Sequence, residues 1–124
     1  MAEADSLTLL TAYGFEKLTQ WVALKQKMKL ESLAWPENAG WLYAFVTANR
    51  VRYVGITTMV LRSRMDSYRD LRNDRVRALI RSCLERNEIV EIYGLRRPKT
   101  SPIDLEQEES MLIRTLETDW NVRR

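Results

Sequence analysis

The chain has 124 residues, 45% of them hydrophobic, which suits one soluble domain spanning 1–124 with its own core. Twenty lysines and arginines against 17 acids leave a formal charge of +3, too mild by itself to name a partner. Histidine is absent, which excludes Ser-His and Cys-His catalysis and histidine-metal centres; the single cysteine excludes an internal disulfide and a thiolate zinc cluster.

Acid–base chemistry must therefore come from Asp, Glu, Lys or Tyr. No apolar run approaches the roughly 18–20 residues that cross a bilayer, and the first residues lack the basic region that opens a secretory signal. The expectation is a cytoplasmic or nucleoid-associated protein with no membrane contact.

In chain order, residues 5–34 read as helical, with Asp5 or Ser6 as the first cap and Gly14 dividing a short helix from a longer one. Phe15, Leu18, Val22 and Trp21 mark an apolar face on the second helix. Lys25 and Lys27 fall mostly outside it, either as a solvated face or as contacts to a polyanion. Pro36 ends this region because it disfavours α geometry at Trp35. Residues 1–36 are thus an expected N-terminal helical extension, and its helices a surface for a protein partner or a homodimer.

Trp41 to Thr47 and Val51 to Ile56 are rich in aromatic and β-branched residues and predict two strands. In the first, Trp41, Tyr43 and Phe45 lie on one side and Leu42, Ala44 and Val46 on the other, so both faces should be covered. Parity then matters. A regular two-residue loop at 48–49 pairs Tyr43 with Val54 and sends Tyr43 and Tyr53 to opposite faces. A three-residue loop pairs Phe45 with Tyr53 and brings the tyrosines to one face. A shared site therefore requires a loop of odd length or a bulge.

Gly55 is expected to let the backbone turn tightly. Thr57 or Thr58 can cap a helix from about Met59 to Arg69, on which Arg64 and Tyr68, four apart, share a face. Asn73 or Asp74 caps the next helix, with Val76, Leu79, Ile80, Cys83 and Leu84 as its buried stripe and Cys83 as a structural thiol. Ile89 to Leu95 predicts a third strand. A basic loop follows, then a final helix from about Asp104 to Thr118 whose early acids suit the helix dipole. These elements predict an α+β fold: a small, three-stranded, mainly antiparallel sheet flanked by helices.

Glu109 falls on the inward stripe of the last helix, four after Leu105 and three before Leu112. A carboxylate turned toward apolar packing needs a cation or a donor, so it is either a structural partner of an arginine or a metal ligand. Glu108 points more nearly outward. Strand tyrosines are usually packing residues, and a phenol with a pKa of about 10 is a poor base without help. Two tyrosines ten residues apart across a hairpin, followed by Arg-x-x-x-Tyr on a helix, are harder to dismiss. The arginines between Arg50 and Arg97 offer forked donors suited to phosphate oxygens, although each alone is equally a solvated side chain.

With these residues in place the sequence resembles the GIY-YIG nucleases. Tyr53-Val54-Gly55 matches the Tyr-Ile/Val-Gly half-motif, and Leu61-Arg62-Ser63-Arg64-Met65 is similar to the Leu-x-x-Arg-hydrophobic run. Tyr68 stands where that family has Tyr or His. Glu109-Ser110-Met111-Leu112-Ile113 is similar to Glu-x-x-Leu-Ile, and Asn121, twelve residues on, occupies the asparagine position. The first half-motif reads Trp41-Leu42-Tyr43, with Gly40 one place early, and Thr118 stands where a proline is common.

The resemblance covers the core at 40–121 and implies a divalent-metal-dependent DNA endonuclease of repair or restriction type. Glu109 would hold one Mg²⁺ or Mn²⁺. Tyr43 or Tyr53 would act as general base, with the other orienting water or phosphate. Arg64, with Arg62 as second candidate, would stabilise developing charge. Tyr68 would hydrogen-bond phosphate or water, and Asn121 would brace the site. Arg62, Arg72, Arg75, Lys25 and Lys27 are candidate DNA-backbone contacts. The alternatives are a catalytically inactive nucleic-acid-binding module and a partner-dependent subunit of a repair or mobile-element complex.

Overall fold

A computed structural model describes residues 5–24, 27–30, 40–58, 61–68, 74–98 and 100–121, with the backbone alone at 24, 27–30, 62 and 74. The elements run α1 (Ser6–Tyr13), β1 (Glu16–Leu24), β2 (Lys27–Leu30), β3 (Trp41–Thr47), β4 (Arg50–Thr57), α2 (Leu61–Ser67), α3 (Asp74–Glu85), β5 (Val90–Arg96) and α4 (Pro102–Leu116). The five strands form one sheet in the order β2-β1-β5-β3-β4, and every pairing is antiparallel.

The expected α+β class, an antiparallel sheet flanked by helices, is what the chain adopts. Among the described residues the sheet has five strands in place of three, because within the N-terminal extension they are helical only over α1 and form strands at 16–24 and 27–30. Asp5 caps that helix, its carboxylate accepting from the Thr8 N–H at 2.7 Å. Gly14, at φ +125°, ends it with a backbone N–H turned back to Leu10 and Thr11. The segment read as a second helix instead becomes β1 and β2. Its Thr19, Trp21 and Val22 suit either period, and antiparallel pairing with β5 decides between them: Thr19 lies opposite Ile92 and Trp21 opposite Val90. Among the described residues the helical part of the expected docking surface is α1, which itself packs on the sheet through the fully buried Leu10.

The sheet is covered on both faces. On one, Trp41, Tyr43 and Phe45 of β3 pack with Leu61, Met65 and Tyr68 around α2 and with Ile80, Cys83 and Leu84 of α3. On the other, Leu42, Ala44 and Val46 pack with Leu10 of α1 and with Leu105, Leu112 and Leu116 of α4. All seven residues of β3 are buried, as the double-sided apolar pattern predicts. Each fully buried large aliphatic or aromatic side chain contributes about 1.5–3 kcal/mol, so β3 is a principal anchor of both cores. Cys83 is buried on the inner side of α3 as a free structural thiol, with burial raising its pKa.

The β3–β4 hairpin resolves the parity question. Its loop is the two-residue Ala48-Asn49, both at positive φ (48° and 64°), which matches the twist of the flanking strands. The ladder pairs Thr47 with Arg50 and Val46 with Val51, then jumps to Phe45 with Tyr53. Arg52 is therefore the extra residue of a β-bulge. A two-residue loop and a shared tyrosine face thus coexist, and the bulge supplies the missing residue of phase.

Gly55 makes no turn. It lies inside β4 opposite Tyr43, and a Cβ there would come within 2.4 Å of Tyr43 Cζ. The glycine makes room for the Tyr43 ring to lie across β4.

Candidate active site

The strand alternation of β3, the bulge in β4 and the one-turn spacing on and after α2 bring four predicted side chains together on one sheet face. Tyr43 and Tyr68 are buried and their hydroxyl oxygens lie 2.6 Å apart. Arg64 Nε donates to Tyr43 Oη at 3.0 Å, and Tyr68 Oη donates to Tyr53 Oη at a longer 3.5 Å. Arg64 donates to Tyr43, Tyr43 and Tyr68 share a hydrogen bond in which either hydroxyl can be the donor, and Tyr68 donates to Tyr53. Tyr53 is half-buried, so the chain of hydroxyls runs from the sheet interior toward its more accessible member.

The rings are held by one another. Phe45 stacks on Tyr53 at 5.5 Å between centroids and 20° between planes. Tyr68 meets Phe45 edge-on at 5.2 Å and 78°. Such pairs add about 0.5–1.5 kcal/mol beyond area burial. The Arg64 guanidinium also lies over the Tyr68 ring, 5.5 Å from its centroid.

Burial pushes both inner phenols well above the ordinary tyrosine value, and the neighbouring Tyr53 pushes Tyr43 in the same direction, while Arg64 and Tyr68 only partly offset the rise at Tyr43. For Tyr68 the neighbouring phenols add to the effect of burial. Tyr43 and Tyr68 are therefore neutral hydrogen-bonding groups at physiological pH.

Asn121 caps the outer edge of β4. Its Oδ1 accepts from the Val54 N–H at 2.9 Å and its Nδ2 donates to the Val54 carbonyl at 2.8 Å. Thr118, in the position where the family pattern has proline, donates its hydroxyl to Asn121 Oδ1 at 2.6 Å and so orients the amide.

Glu109 is buried at 3% exposure on the inward face of α4, in line with Leu105 and Leu112. That helix packs over β4 from the face opposite Tyr43. Among the described residues, no three Asp, Glu, Cys or His side chains are grouped as a metal cage.

Of the predicted DNA contacts, Arg75 is exposed and donates a hydrogen bond to the Trp120 carbonyl. Lys25 and Arg72 lie outside the described residues, as do the side chains of Lys27 and Arg62. Glu108, expected to point outward, is pinned. Arg97 donates to it from Nε at 3.1 and 3.2 Å and from Nη2 at 2.7 Å, and the Tyr13 hydroxyl also donates to it.

Sequence reasoning missed the residues that wrap the edge of β4. Leu116 belongs to the core on the α4 face and Trp120 to the core on the tyrosine face, so residues 117–120 cross around the strand. Glu117 ends α4 in the left-handed region at φ 52° and turns the chain. Asp119 then pairs with the bulge residue, accepting from Arg52 Nη1 at 2.6 Å. Arg52 Nε donates to Thr47 Oγ1 at 2.9 Å, and the Arg52 carbonyl accepts from the Trp120 N–H at 2.8 Å. The parity requirement was the one sequence signal that pointed to this strand edge.

No protein-family model matches the sequence, and no curated protein matches it significantly. Solved structures share the fold, among them the following two. A mutant of bacteriophage T4 EndoII aligns with a TM-score of 0.74 at 24% identity, covering 96% of this chain and all of the other. The restriction endonuclease HPY188I, in complex with product DNA, aligns with a TM-score of 0.58 at 16% identity, covering 94% of this chain and 83% of the other.

Proposed function

We propose that this protein is a divalent-metal-dependent DNA endonuclease that hydrolyses phosphodiester bonds at a single-metal site of the GIY-YIG type. The observation that carries the reading is the hydroxyl chain of Tyr43, Tyr68 and Tyr53 headed by Arg64. It is supported by the fold shared with two nucleases, one of them holding product DNA.

Glu109, a single buried carboxylate on the helix that covers the sheet face opposite Tyr43, is the candidate ligand for a hydrated Mg²⁺ or Mn²⁺, which usually keeps several waters and one or two carboxylates. When bound there, the cation would supply positive charge to the scissile phosphate and the leaving oxygen. Tyr53, the accessible end of the hydroxyl chain, orients the attacking water and acts as its general base. Tyr43 and Tyr68 stay neutral and hold Tyr53 through the chain. Arg64 keeps its charge at any working pH and stabilises negative charge that develops on the phosphate. Asn121 braces β4 beside Tyr53.

The test is plasmid nicking by purified protein with and without Mg²⁺, comparing wild type with Glu109→Gln and Tyr53→Phe. The expected result is metal-dependent nicking by wild type, lowered about 10²–10³-fold or more in each variant. Undiminished nicking by Glu109→Gln would overturn the metal assignment. Wild-type protein that binds DNA with a steep salt dependence but never cuts would establish a binding module instead.

A further inference from the structure

We infer that Arg52 and Asp119 are positioning residues for Tyr53, acting by fastening the 117–121 segment around the open edge of β4; this rests on the nuclease reading above. Tyr53 is flanked in sequence by the two residues to which that segment is tied. On one side, Arg52 gives its carbonyl to the Trp120 N–H and its guanidinium to Asp119. On the other, Val54 has both backbone groups capped by Asn121. β4 ends the sheet, so these bonds take the place of a neighbouring strand.

The bulge makes the fastening consequential. The unbulged ladder permitted by the same Ala48-Asn49 loop would place Arg52 opposite Phe45 and turn Tyr53 to the other face. It would also remove Val54 and Ile56 from the core under α4, where they pack in the observed register. Burial therefore favours the observed register along β4 beyond the bulge, and the Arg52–Asp119 pair holds it at the bulge itself. The side chains are 25% and 42% exposed, so the pair adds little to global stability. Its effect is local, on the phase and orientation of Tyr53 against Phe45.

The segment also joins the two layers of the site. It starts at the end of α4, the helix of Glu109, and finishes with Trp120 buried on the tyrosine face, where Arg75 donates to the Trp120 carbonyl. Loosening the pair would let the Tyr53 side move relative to α4, and displacements of about 1 Å at reacting groups can cost about 10²-fold in rate.

The experiment is steady-state cleavage of a short DNA duplex by wild type, Arg52→Ala, Asp119→Asn and the double variant, with circular dichroism to verify folding and nuclear Overhauser contacts between the Phe45 and Tyr53 rings. Each single variant should lower kcat about tenfold with KM unchanged. The double variant should fall well short of the product of the two single effects, because both break the Arg52–Asp119 link, while Asp119 also lies 3.9 Å from Arg50 and Arg52 also donates to Thr47. The Phe45–Tyr53 contacts should weaken in all three. Asp119→Asn is the sharper variant: removing a negative charge would strengthen a merely electrostatic attraction to DNA, whereas loss of positioning slows turnover.

The inference is overturned if KM rises with kcat unmoved, if the two effects multiply, or if the ring contacts persist while kcat falls. If wild type never cuts, the nuclease reading fails, and the ring contacts alone then decide whether the pair positions Tyr53.

Discussion

Two polar clusters in this protein have the same ingredients arranged to opposite ends. On the α4 face, Tyr13, Arg97 and Glu108 form a phenol–guanidinium–carboxylate group in which the cation is met bidentately by an anion. On the α2 face, Arg64 meets the hydroxyl of Tyr43, and two more phenols continue the chain. A carboxylate cancels a guanidinium charge, whereas a neutral phenol only accepts its hydrogen bond. The first cluster is a lock that joins α1, α4 and the loop after β5. The second keeps its positive charge effective beside a row of hydroxyls, which is where the proposed nuclease reading puts the phosphate.

The sharpest way to break this comparison is to remove each cation. Arg64→Ala should lower DNA cleavage by about 10²–10³-fold with a small change in Tm. Arg97→Ala should cost about 1–3 kcal/mol of stability, because it strands a half-buried carboxylate, yet leave kcat of the folded protein near wild type. Nicking assays alongside thermal melts read both, and the reverse pattern would exchange the roles of the clusters.

Next in size, Gly55→Ala should destabilise by about 1–3 kcal/mol and reduce cleavage, since the new methyl collides with the Tyr43 ring. Urea unfolding measures the first effect. Should Gly55→Ala prove neutral in both, the close approach of ring to strand is not what that glycine serves. Tyr68→Phe removes the middle hydroxyl and should cost about 1–2 kcal/mol, with Tyr13→Phe as the matched change in the lock. A larger activity loss at position 68 than at 13 is the expected contrast.

The smallest effects are in pH dependence, and they run in opposite directions for Glu108 and for the inner phenols Tyr43 and Tyr68. Burial raises Tyr43 and Tyr68 above the ordinary value of 10.0. Their contribution to stability is full below pH 10 and is lost as pH rises, because the unfolded chain releases those protons first. Absorbance at 295 nm should show both phenols ionising only together with alkaline unfolding. Glu108 is lowered, chiefly by its hydrogen bonds from Arg97. Its contribution is present above the ordinary carboxylate value of 4.5 and disappears as pH falls toward its folded value. Glu108→Gln should therefore flatten the acid limb of a stability profile.

Much of the tyrosine face was legible in the sequence. Strand alternation fixed Tyr43 beside Phe45 on one side of β3, and a spacing of four placed Arg64 and Tyr68 one turn apart. Parity reduced the hairpin to two outcomes, and the bulge is the one that keeps both tyrosines together. Other features lay beyond local pattern. Residues 16–24 carry apolar positions compatible with either helix or strand, and only the availability of β5 as a partner made them β1. Gly55 reads locally as a turn residue, but its role comes from a ring on the neighbouring strand. Glu108 reads as a solvated face, and Arg97 and Tyr13 reach it from elsewhere in the fold.

The sequence alone determined which side chains share a face within each element, because strand and helix periods are set by backbone geometry that every residue obeys. It also determined the candidate chemistry, by excluding histidine and thiolate sites and placing one carboxylate on an apolar stripe. Tertiary structure decided how elements meet: the order of the five strands, the crossing of residues 117–120 around β4, and the tie between Asp119 and the bulge at Arg52. Those contacts join residues far apart in sequence, so their energies depend on packing and on the closure of long loops, neither of which any local window of the chain contains.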